Sequence, residues 1–389
     1  MQNDILPNVI FSPGELALGL ADSLVDLGVE VTLFSAGSVT TKAKNVTADL
    51  SFFQEELVRR GDTYLDLLKK HPLTFITLAR QAQAALVAQA YELANKDQFD
   101  LIHIYTNEED IALPFAQFCK KPVVFTHHDP FNFLVGYRNT FPKYKHLNWL
   151  AISNNQRLGM PEDTNWVGTI ELGLNETDWP KQSHAKEDYL AYIGRIIEPK
   201  GVELAIEAVQ LYNQTAKTPL KLKIAGKHYA SSAKNSYWEK VIKPKLADSN
   251  IEYVGFISSR LAKQAFLSKA QALLIPSLFA EPFGLVMPEA LACGTPLIGL
   301  DSGAIPDVIE EGVTGFVIKK QFNNRVAEHR EPNLSHETIE AMAAAIGRIA
   351  KLTPEDCRRA FINRFTMKRM ATKHLEAYQK LVTEQPAAL

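Results

Sequence analysis

The residues with the clearest chemical potential lie between Ala280 and Ile318, a stretch that begins AEPFGLVMPEALACG. Glu281 and Glu289 are separated by seven residues, and each carboxylate can accept two hydroxyl hydrogen bonds from a sugar ring or a ribose. An isolated pair of glutamates is usually solvated, but the apolar neighbours of Glu289 predict that its carboxylate is buried and needs a partner. The stretch therefore favours a site for a ligand rich in hydroxyl groups.

The same stretch offers backbone donors for an anion. The apolar run ALLIPS precedes Glu281 and places it at the carboxyl end of a strand, where open α/β sheets bind ligands. Pro288 fits the first turn of a helix that should run to about Cys293. Free N–H groups at the start of this helix would hold a diphosphate. They belong to Phe283, Gly284, Leu285 and Val286.

A second cluster, YIGRIIEPKGVELAIEAV, supplies two cations. Arg195 follows the end of a predicted strand, and Lys200 with Gly201 opens the next helix. Both cations then lie at the same sheet edge as Glu281, where they could neutralise charge on a departing diphosphate in place of a metal ion. Considered singly, each would be an ordinary surface charge.

Short apolar segments that alternate with longer amphipathic ones must position these groups, and this rhythm predicts an α/β fold with parallel sheets. In the first half, the predicted strands are Val29–Phe34, Leu101–Ile104, Pro122–Thr126 and Trp149–Ile152. The helices predicted there are Glu15–Leu27, Glu55–Lys69 and Leu73–Asn95. In the second half, the predicted strands are Tyr189–Ile193, Leu220–Ala225, Ile251–Val254, Ala272–Ile275 and Pro296–Gly299.

The length of 389 residues exceeds what one hydrophobic core usually supports and predicts two domains. Periodicity is lost over Gly173–Glu187, where Pro180 interrupts any helix, so we expect the hinge there. The expected domains are residues 1–175 and 185–365. Residues 366–389 are expected to form a terminal helix that crosses back to the first domain.

Composition narrows the class of protein. Hydrophobic residues make up 46% and charged residues 22%, which is typical of a globular protein, and the net charge of -2 argues against a general nucleic-acid binder. The three cysteines lack metal-ligand spacing and are expected to be reduced. The start has no basic segment before an apolar one, and no run of about 18 apolar residues follows. We expect a cytoplasmic enzyme, with a peripheral contact at the inner face of the membrane left open.

A set of short motifs connects these residues to a known family. The motifs are Gly194-Arg195 with Lys200-Gly201, Ile224-Ala225-Gly226, Tyr253-Val254-Gly255, Glu281-Pro282-Phe283-Gly284 ending at Glu289, Gly294-Thr295-Pro296, Gly303-Ala304-Ile305-Pro306-Asp307 and Gly315-Phe316. Residues 189–318 thereby resemble the donor-binding half of retaining glycosyltransferases of family 4. The resemblance implies the GT-B architecture, in which two Rossmann-like domains with parallel sheets face each other across a cleft.

The first half of the chain resembles the family less closely. Its matching features are Gly14-Glu15 opening a helix, the strand end VFTHHDP, and Ala151-Ile152-Ser153. The resemblance implies that Gly14 binds the donor and that His128 lies beside the transferred sugar. The alternative for His128 is a satisfied structural pair with Asp129. His127 is expected to be structural.

The resemblance implies the remaining roles as well. Glu281 would contact hydroxyls of the transferred sugar, Glu289 would hold the ribose, and Arg195 with Lys200 would grip the diphosphate. Phe256 and Ile257 would border the base. The catalytic set would be Glu281, His128, Arg195 and Lys200. Transfer would retain the anomeric configuration and need no cofactor and no metal, since the chain has no Asp-x-Asp tripeptide.

Several alternatives stay open on these residues. A UDP-sugar donor is favoured, with UDP-glucose or UDP-N-acetylglucosamine first, while GDP-mannose or an ADP-sugar would suit the same motifs. A non-catalytic nucleotide-sugar binding protein is the competing class, and an epimerase or a phosphorylase on the same architecture is a further one. No lysine motif for the pyridoxal phosphate of a phosphorylase is evident.

The acceptor, which would be a sugar, a lipid-linked molecule or another small molecule, is expected to meet two regions of the first half. The segment Phe131–Leu150 interleaves aromatic residues with Arg138, Lys143, Lys145 and His146. Such a segment could touch lipid headgroups, a phosphorylated acceptor or nucleic acid, or be a loop with solvated cations. Phe52–Lys96, with its own arginines and lysines, is open to the same two interpretations.

Overall fold

Short strands alternate with helices through the described part of this computed structural model, which comprises residues 12–105, 109–181, 184–228, 237–321 and 336–384. The strands of the first half are β1 (Thr32–Ser35), β2 (Lys44–Thr47), β3 (Ile102–Tyr105), β4 (Val123–Thr126), β5 (Asn148–Ala151) and β6 (Trp166–Thr169). Those of the second half are β7 (Tyr189–Ile193), β8 (Lys221–Ala225), β9 (Ile251–Gly255), β10 (Leu273–Ile275), β11 (Leu297–Leu300) and β12 (Gly315–Ile318).

The helices fill the connections between the strands. Before β7 they are α1 (Ser12–Asp26), α2 (Ser51–Arg60), α3 (Tyr64–Lys70), α4 (Pro72–Asn95) and α5 (Val135–Thr140). After β7 they are α6 (Val202–Asn213), α7 (Lys243–Lys245), α8 (Arg260–Lys269), α9 (Val286–Ala292), α10 (Ile305–Val308), α11 (His336–Ile346), α12 (Pro354–Arg364) and α13 (Met367–Thr383).

The contacts divide the chain into two compact units. The first unit runs from the amino terminus to Ile152, resumes at Arg157–Glu171 and takes up the chain again from Met367. The second unit consists of Ser153–Gln156 and Leu172–Thr366. Helix α13 therefore belongs to the first unit although it follows the whole of the second in sequence.

A six-stranded parallel sheet forms the centre of the second unit, with strand order β12-β11-β10-β7-β8-β9. From β7 the chain moves outward through β8 and β9, then returns to the other side of β7, where β10 pairs with it at Leu273 and Ala191. This reversal is a topological switch point, because the connections from β7 and β10 lead to strands on opposite sides of the β7–β10 pair. The core lies between the sheet and helices that include α6 and α11.

The first unit contains two parallel sheets, one of four strands in the order β3-β4-β5-β6 and one formed by β1 and β2. Helix α13 packs on α1, where a Cβ added to Gly19 would come within 2.5 Å of the Met367 side chain. Tyr378 of α13 bonds to His103 of β3 through its hydroxyl. The predicted α/β class with parallel sheets is confirmed.

The predicted helix Glu55–Lys69 is wrong as one element, because α2 ends and α3 begins within it. Gly61 adopts a left-handed backbone with φ of 68° and caps the end of α2. Thr63 then starts α3 with a capping box, in which its side chain and that of Asp66 each accept the other's backbone N–H. Sequence periodicity continues across this break because both helices bury apolar residues.

Three strands were not predicted from the sequence, namely β2, β6 and β12. Each has four residues, and β2 and β6 are only partly buried, so neither carries a run of apolar residues long enough to be recognised. The first predicted strand, Val29–Phe34, also begins too early, since β1 covers Thr32–Ser35.

Candidate functional site

Two loops at the switch point of the second unit are fastened to each other. The backbone N–H groups of Leu278 and Phe279, after β10, both donate to the Pro199 carbonyl, after β7, at 2.9 and 3.0 Å. Gly201 has φ of 67°, and a Cβ there would lie 1.9 Å from the Pro276 carbonyl oxygen. Only glycine permits this approach, so the loop that carries Lys200 is held against the loop that carries Glu281.

Lys200 and Glu281 meet at this edge as an ion pair between Nζ and Oε1. The Ser277 hydroxyl donates to the same carboxylate oxygen at 2.9 Å, and the Lys200 ammonium lies 5.1 Å from the centre of the Phe279 ring. The two charged side chains are only 16% and 12% exposed. A cation and a carboxylate, both largely withdrawn from water, are thus presented side by side.

Gly303 and its neighbours fix the backbone of Glu281. A Cβ on Gly303 would come within 2.2 Å of the Glu281 backbone nitrogen, and Ala304 N–H donates to the Glu281 carbonyl at 2.8 Å. The Ser302 hydroxyl donates to the Phe279 carbonyl at 3.0 Å. The segment after β11 therefore supports the loop after β10 from behind.

Glu289 is buried in the first turn of α9, with 8% exposure. Lys263 of α8 reaches its carboxylate at 2.7 Å. The sequence predicted that this carboxylate needs a partner but did not indicate which cation supplies it, because the contact between α8 and α9 arises only from tertiary packing. Lys263 is therefore a site residue that the sequence did not reveal.

The other residues of the second unit that are predicted to bind the nucleotide-sugar differ in exposure and in the groups that they offer to a ligand. Arg195 is exposed, and its side chain makes no hydrogen bond or ion pair within the described residues. Phe256 is 38% exposed, with the Lys227 ammonium 4.2 Å from its ring centre, and Ile257 follows it. The Phe283 ring is buried, 6.1 Å from that of Phe365, so only its backbone can meet a ligand.

The backbone at the start of α9 bears on the predicted anion contact, which stays a prediction. Gly284 has φ of 83°, and Leu285 is the N-cap of the helix, which begins at Val286. Within the described chain, no hydrogen bond outside regular helix and strand pairing occupies the N–H groups of Phe283, Gly284 or Leu285. These donors therefore stand ready for an anionic ligand.

His128 and Gly14 belong to the first unit. His128 follows β4, is 8% exposed and lies edge-on to the Tyr105 ring, with centroids 4.5 Å apart. Its Nε2 has no hydrogen-bond partner among the described residues. Burial, assisted by the neighbouring His127 and by His374, lowers the pKa of His128 to about 3, so the ring is neutral near pH 7. Gly14 lies in the first turn of α1.

His127 is fully buried beside Glu109, another residue that the sequence did not reveal. The His127 Nδ1 lies 2.9 Å from the Glu109 Oε2, and neither side chain is exposed. Burial raises the pKa of Glu109. The structural role expected for His127 stays a prediction.

The described residues contain no group of three or more His, Cys, Asp or Glu side chains arranged to hold a metal ion. The cysteines are free, and burial raises the pKa of Cys293 and of Cys357 to about 12. The candidate site of the second unit offers three cations, two carboxylates and backbone donors. Such a set can bind hydroxyl groups and phosphates together.

Two family models match the chain. Residues 14–157 match the model described as Glycosyltransferase Family 4, and residues 175–351 match the model described as Glycosyl transferases group 1. Together they cover both units, and the family assignment agrees with the motifs and the sheet topology. The chain belongs to the family 4 type of glycosyltransferases.

Among curated relatives, an alpha-maltose-1-phosphate synthase of Mycolicibacterium smegmatis is 25% identical over 232 residues, which are 56% of this chain and 58% of that protein. An uncharacterised glycosyltransferase of Methanocaldococcus jannaschii is 30% identical over 165 residues, 42% of this chain and 40% of that protein. The chain thus matches only about half of the length of these relatives.

Solved structures share the fold. An Anabaena protein crystallised with UDP-glucose is similar with a TM-score of 0.61 at 16% identity, covering 96% of this chain and 97% of the other. At that identity the similarity establishes the fold alone. Within the described residues, no helix is both long and apolar enough to cross a membrane.

Proposed function

We propose that this protein is a retaining glycosyltransferase that moves a sugar from a nucleotide-diphosphate donor to a hydroxyl acceptor. The observation that carries the proposal is the Lys200–Glu281 pair at the switch point of the second unit. This is the place at which open α/β sheets bind ligands. A carboxylate for sugar hydroxyls and a cation for phosphate are adjacent there, as glycosyl transfer requires.

The roles follow from what each group can do. Glu281 accepts hydroxyl hydrogen bonds from the transferred sugar, and Glu289, held by Lys263, accepts those of the ribose. Arg195 and Lys200, with the N–H groups of Gly284 and Leu285, receive the diphosphate and stabilise the charge that grows on it as the glycosidic bond breaks. His128, neutral at physiological pH, offers a hydrogen bond to the sugar without adding charge.

We favour a UDP-sugar donor, with UDP-glucose or UDP-N-acetylglucosamine first; the Anabaena neighbour holding UDP-glucose supports this choice. GDP-mannose or an ADP-sugar is the alternative, since Phe256 and Ile257 show no side-chain hydrogen-bonding group that would select a base. Thermal shifts with UDP, GDP and ADP test the choice, because a ligand at 100 times its Kd adds about 2.7 kcal/mol of stability.

The transfer itself is tested by product analysis. With the preferred donor and a hydroxyl acceptor, proton NMR should show a product whose anomeric configuration matches that of the donor. Inversion would contradict the retaining mechanism. Donor binding without product from a panel of sugar and lipid-linked acceptors would instead favour a non-catalytic nucleotide-sugar binding protein.

Activity should persist in excess EDTA. Arg195, Lys200 and backbone donors supply the positive charge that a divalent ion would otherwise place on the leaving diphosphate. Initial rates are to be measured before and after chelation, with a metal-dependent glycosyltransferase treated in parallel as the control. Loss of turnover that magnesium or manganese restores would show that the diphosphate is held differently.

The two glutamates should fail differently when replaced. Glu289→Ala should mainly weaken donor binding, because a ribose contact is equal in the ground and transition states, whereas Glu281→Ala should also lower kcat. Glu289→Gln controls for the cavity and for the loss of the Lys263 contact. Separate measurements of kcat and donor Kd decide the matter, and the reverse pattern would exchange the two roles.

We place the enzyme in the cytoplasm with a peripheral contact at the inner face of the membrane. The support for this location is the absence of a membrane-spanning helix among the described residues together with exposed apolar and cationic side chains on the first unit. Fractionation of cells into soluble and membrane pools, with a high-salt wash of the membranes, tests this location.

A further inference from the structure

The first unit exposes an apolar segment where α5 begins. Phe133, Leu134 and Val135 are consecutive in sequence and 54%, 47% and 62% exposed. Large exposed apolar residues usually occur singly on a protein surface, and a contiguous group marks an interaction site. We call these three residues the apolar tip.

Leu158 extends the same surface. It is 80% exposed, and the residue after it, Gly159, packs directly on the root of the tip. A Cβ on Gly159 would lie 2.9 Å from the Phe131 Cβ and 3.4 Å from the Asn132 backbone nitrogen. The chain at residues 158–159 is therefore held against the two residues that lead into the apolar tip.

Buried aromatic rings anchor the tip from below. Phe131 and Phe141, on either side of it in sequence, are fully buried. The His127 ring lies 5.2 Å from Phe131 and 5.0 Å from Phe141, and it is itself fixed by Glu109 at 2.9 Å. The tip is thus joined to a packed base, and a segment held in this way loses less conformational freedom on binding than a free loop.

The charged residues of the stretch of sequence around the tip are all basic, although acidic residues flank it at Asp129, Glu162 and Asp163. From Pro130 to Pro161 the chain contains no aspartate or glutamate, although the whole protein has a net charge of -2. Arg138 lies one helical turn after Val135 on α5, and both Arg138 and Lys143 are exposed. Lys145 is paired with Asp163. The patch therefore complements an anionic partner.

We propose that the apolar tip and Leu158 insert into the headgroup boundary of an anionic lipid bilayer while Arg138 and Lys143 bind its phosphates. The apolar side chains of the tip suit the acyl boundary of a bilayer, and the cations beside them suit its anionic headgroups. A bilayer surface requires no shape complementarity beyond this. The inference deepens the proposed function by naming the surface of peripheral contact, and it rests on that proposal.

Vesicle binding tests the surface. Sedimentation with vesicles of equal phosphatidylglycerol and phosphatidylcholine should show binding that falls with added salt, and much weaker binding to pure phosphatidylcholine. Phe133→Ser/Leu134→Ser/Val135→Ser should partition at least about 100-fold less. Arg138→Gln/Lys143→Gln should lose about 30-fold, at about fivefold per charge.

Phe115→Ser/Phe118→Ser/Leu261→Ser is the matched control, since it removes three other side chains that are 52%, 67% and 75% exposed. It should bind vesicles like the wild type. UDP thermal shifts on every variant report folding and donor binding separately, so a donor site that fails while vesicle binding persists would count against the proposed function alone. Equal binding of the tip variant and the wild type, or self-association through the tip without vesicles, would overturn the inference.

Discussion

Replacing both Arg195 and Lys200 with alanine should lower kcat by more than about 10³-fold while changing the donor Kd comparatively little. Charge accumulates on the β-phosphate only as the glycosidic bond breaks, so a cation there interacts more strongly with the transition state than with the bound donor. One such contact is typically worth on the order of 10²–10³ in rate. The double variant should therefore fall well below either single one.

The two cations should not be equivalent. Lys200 is paired with Glu281, so Lys200→Ala also leaves a largely buried carboxylate without its partner and should lower kcat through Glu281 as well as through the phosphate contact. Arg195 is exposed and makes no ion pair within the described chain. The loss of kcat in Arg195→Ala should therefore report the contact with the phosphate alone. The ammonium of Lys200 is also easier for a neighbouring cation to replace than the planar guanidinium of Arg195.

Arg359→Ala/Lys351→Ala provides the control, because it removes the same net charge from two exposed positions of the second unit. Measurement of kcat and of donor Kd for all variants separates chemistry from binding. A double variant with near-wild-type kcat would place the leaving-group site elsewhere.

The second large effect concerns acid stability, because the first unit buries neutral histidines. Burial lowers the pKa of His128 to about 3 and that of His374 to about 4. His103, which bonds the hydroxyls of Tyr378 and Thr126, has a pKa lowered well below its usual value. The titratable groups that face these rings are Tyr105 and Tyr378, along with His127.

The sign of the pH effect follows from proton counting. Below about pH 6.5 the unfolded chain binds protons at these histidines and the folded chain does not, so the free energy of unfolding falls as the pH falls toward the folded pKa values. From about pH 7.5 to about pH 5.5 the loss should be about 1.4 kcal/mol per histidine, or about 3 kcal/mol for His128 and His374 together. His103 adds in the same direction.

Urea unfolding of the first unit, followed at several pH values, measures this slope. His374→Phe should remove about 1.4 kcal/mol of the pH-dependent loss, apart from any constant cost of losing its bond to the Met370 carbonyl. Glu109, with its raised pKa, acts in the opposite sense, and both proteins share that term. A free energy of unfolding that stays constant over this range would contradict the burial of neutral rings.

The sequence predicted the candidate site best where its residues belong to local motifs. Gly201, Gly284 and Gly303 each adopt a left-handed backbone conformation that favours glycine. Such positions appear in the sequence as glycines at a fixed spacing from the site residues. Glu281 and Lys200 could therefore be placed at one sheet edge from their positions after strands. Their direct pairing could not be predicted, since it depends on how the two loops pack on each other.

Residues without a local signal were missed for the same reason. Lys263 and Glu109 acquire their partners, Glu289 and His127, only through tertiary packing. The segment Phe131–Leu150 shows the opposite error: its interleaved aromatics suggested a surface, yet Phe131, Phe141 and Trp149 are fully buried. Alternation of aromatic and basic residues does not tell which rings face inward, because that depends on the neighbouring strands.

The position of α13 constrains biosynthesis. His103 and Tyr378 are separated by 275 residues, and α13 also contacts α1 near the start of the described chain. During translation the first unit must wait for its last helix until the entire second unit has left the ribosome, whereas the second unit can mature without it. A fragment that stops at Glu171 lacks α13 and would expose the surface on which Met370 and His374 pack. A separately produced first unit therefore needs α13 joined to its carboxyl end.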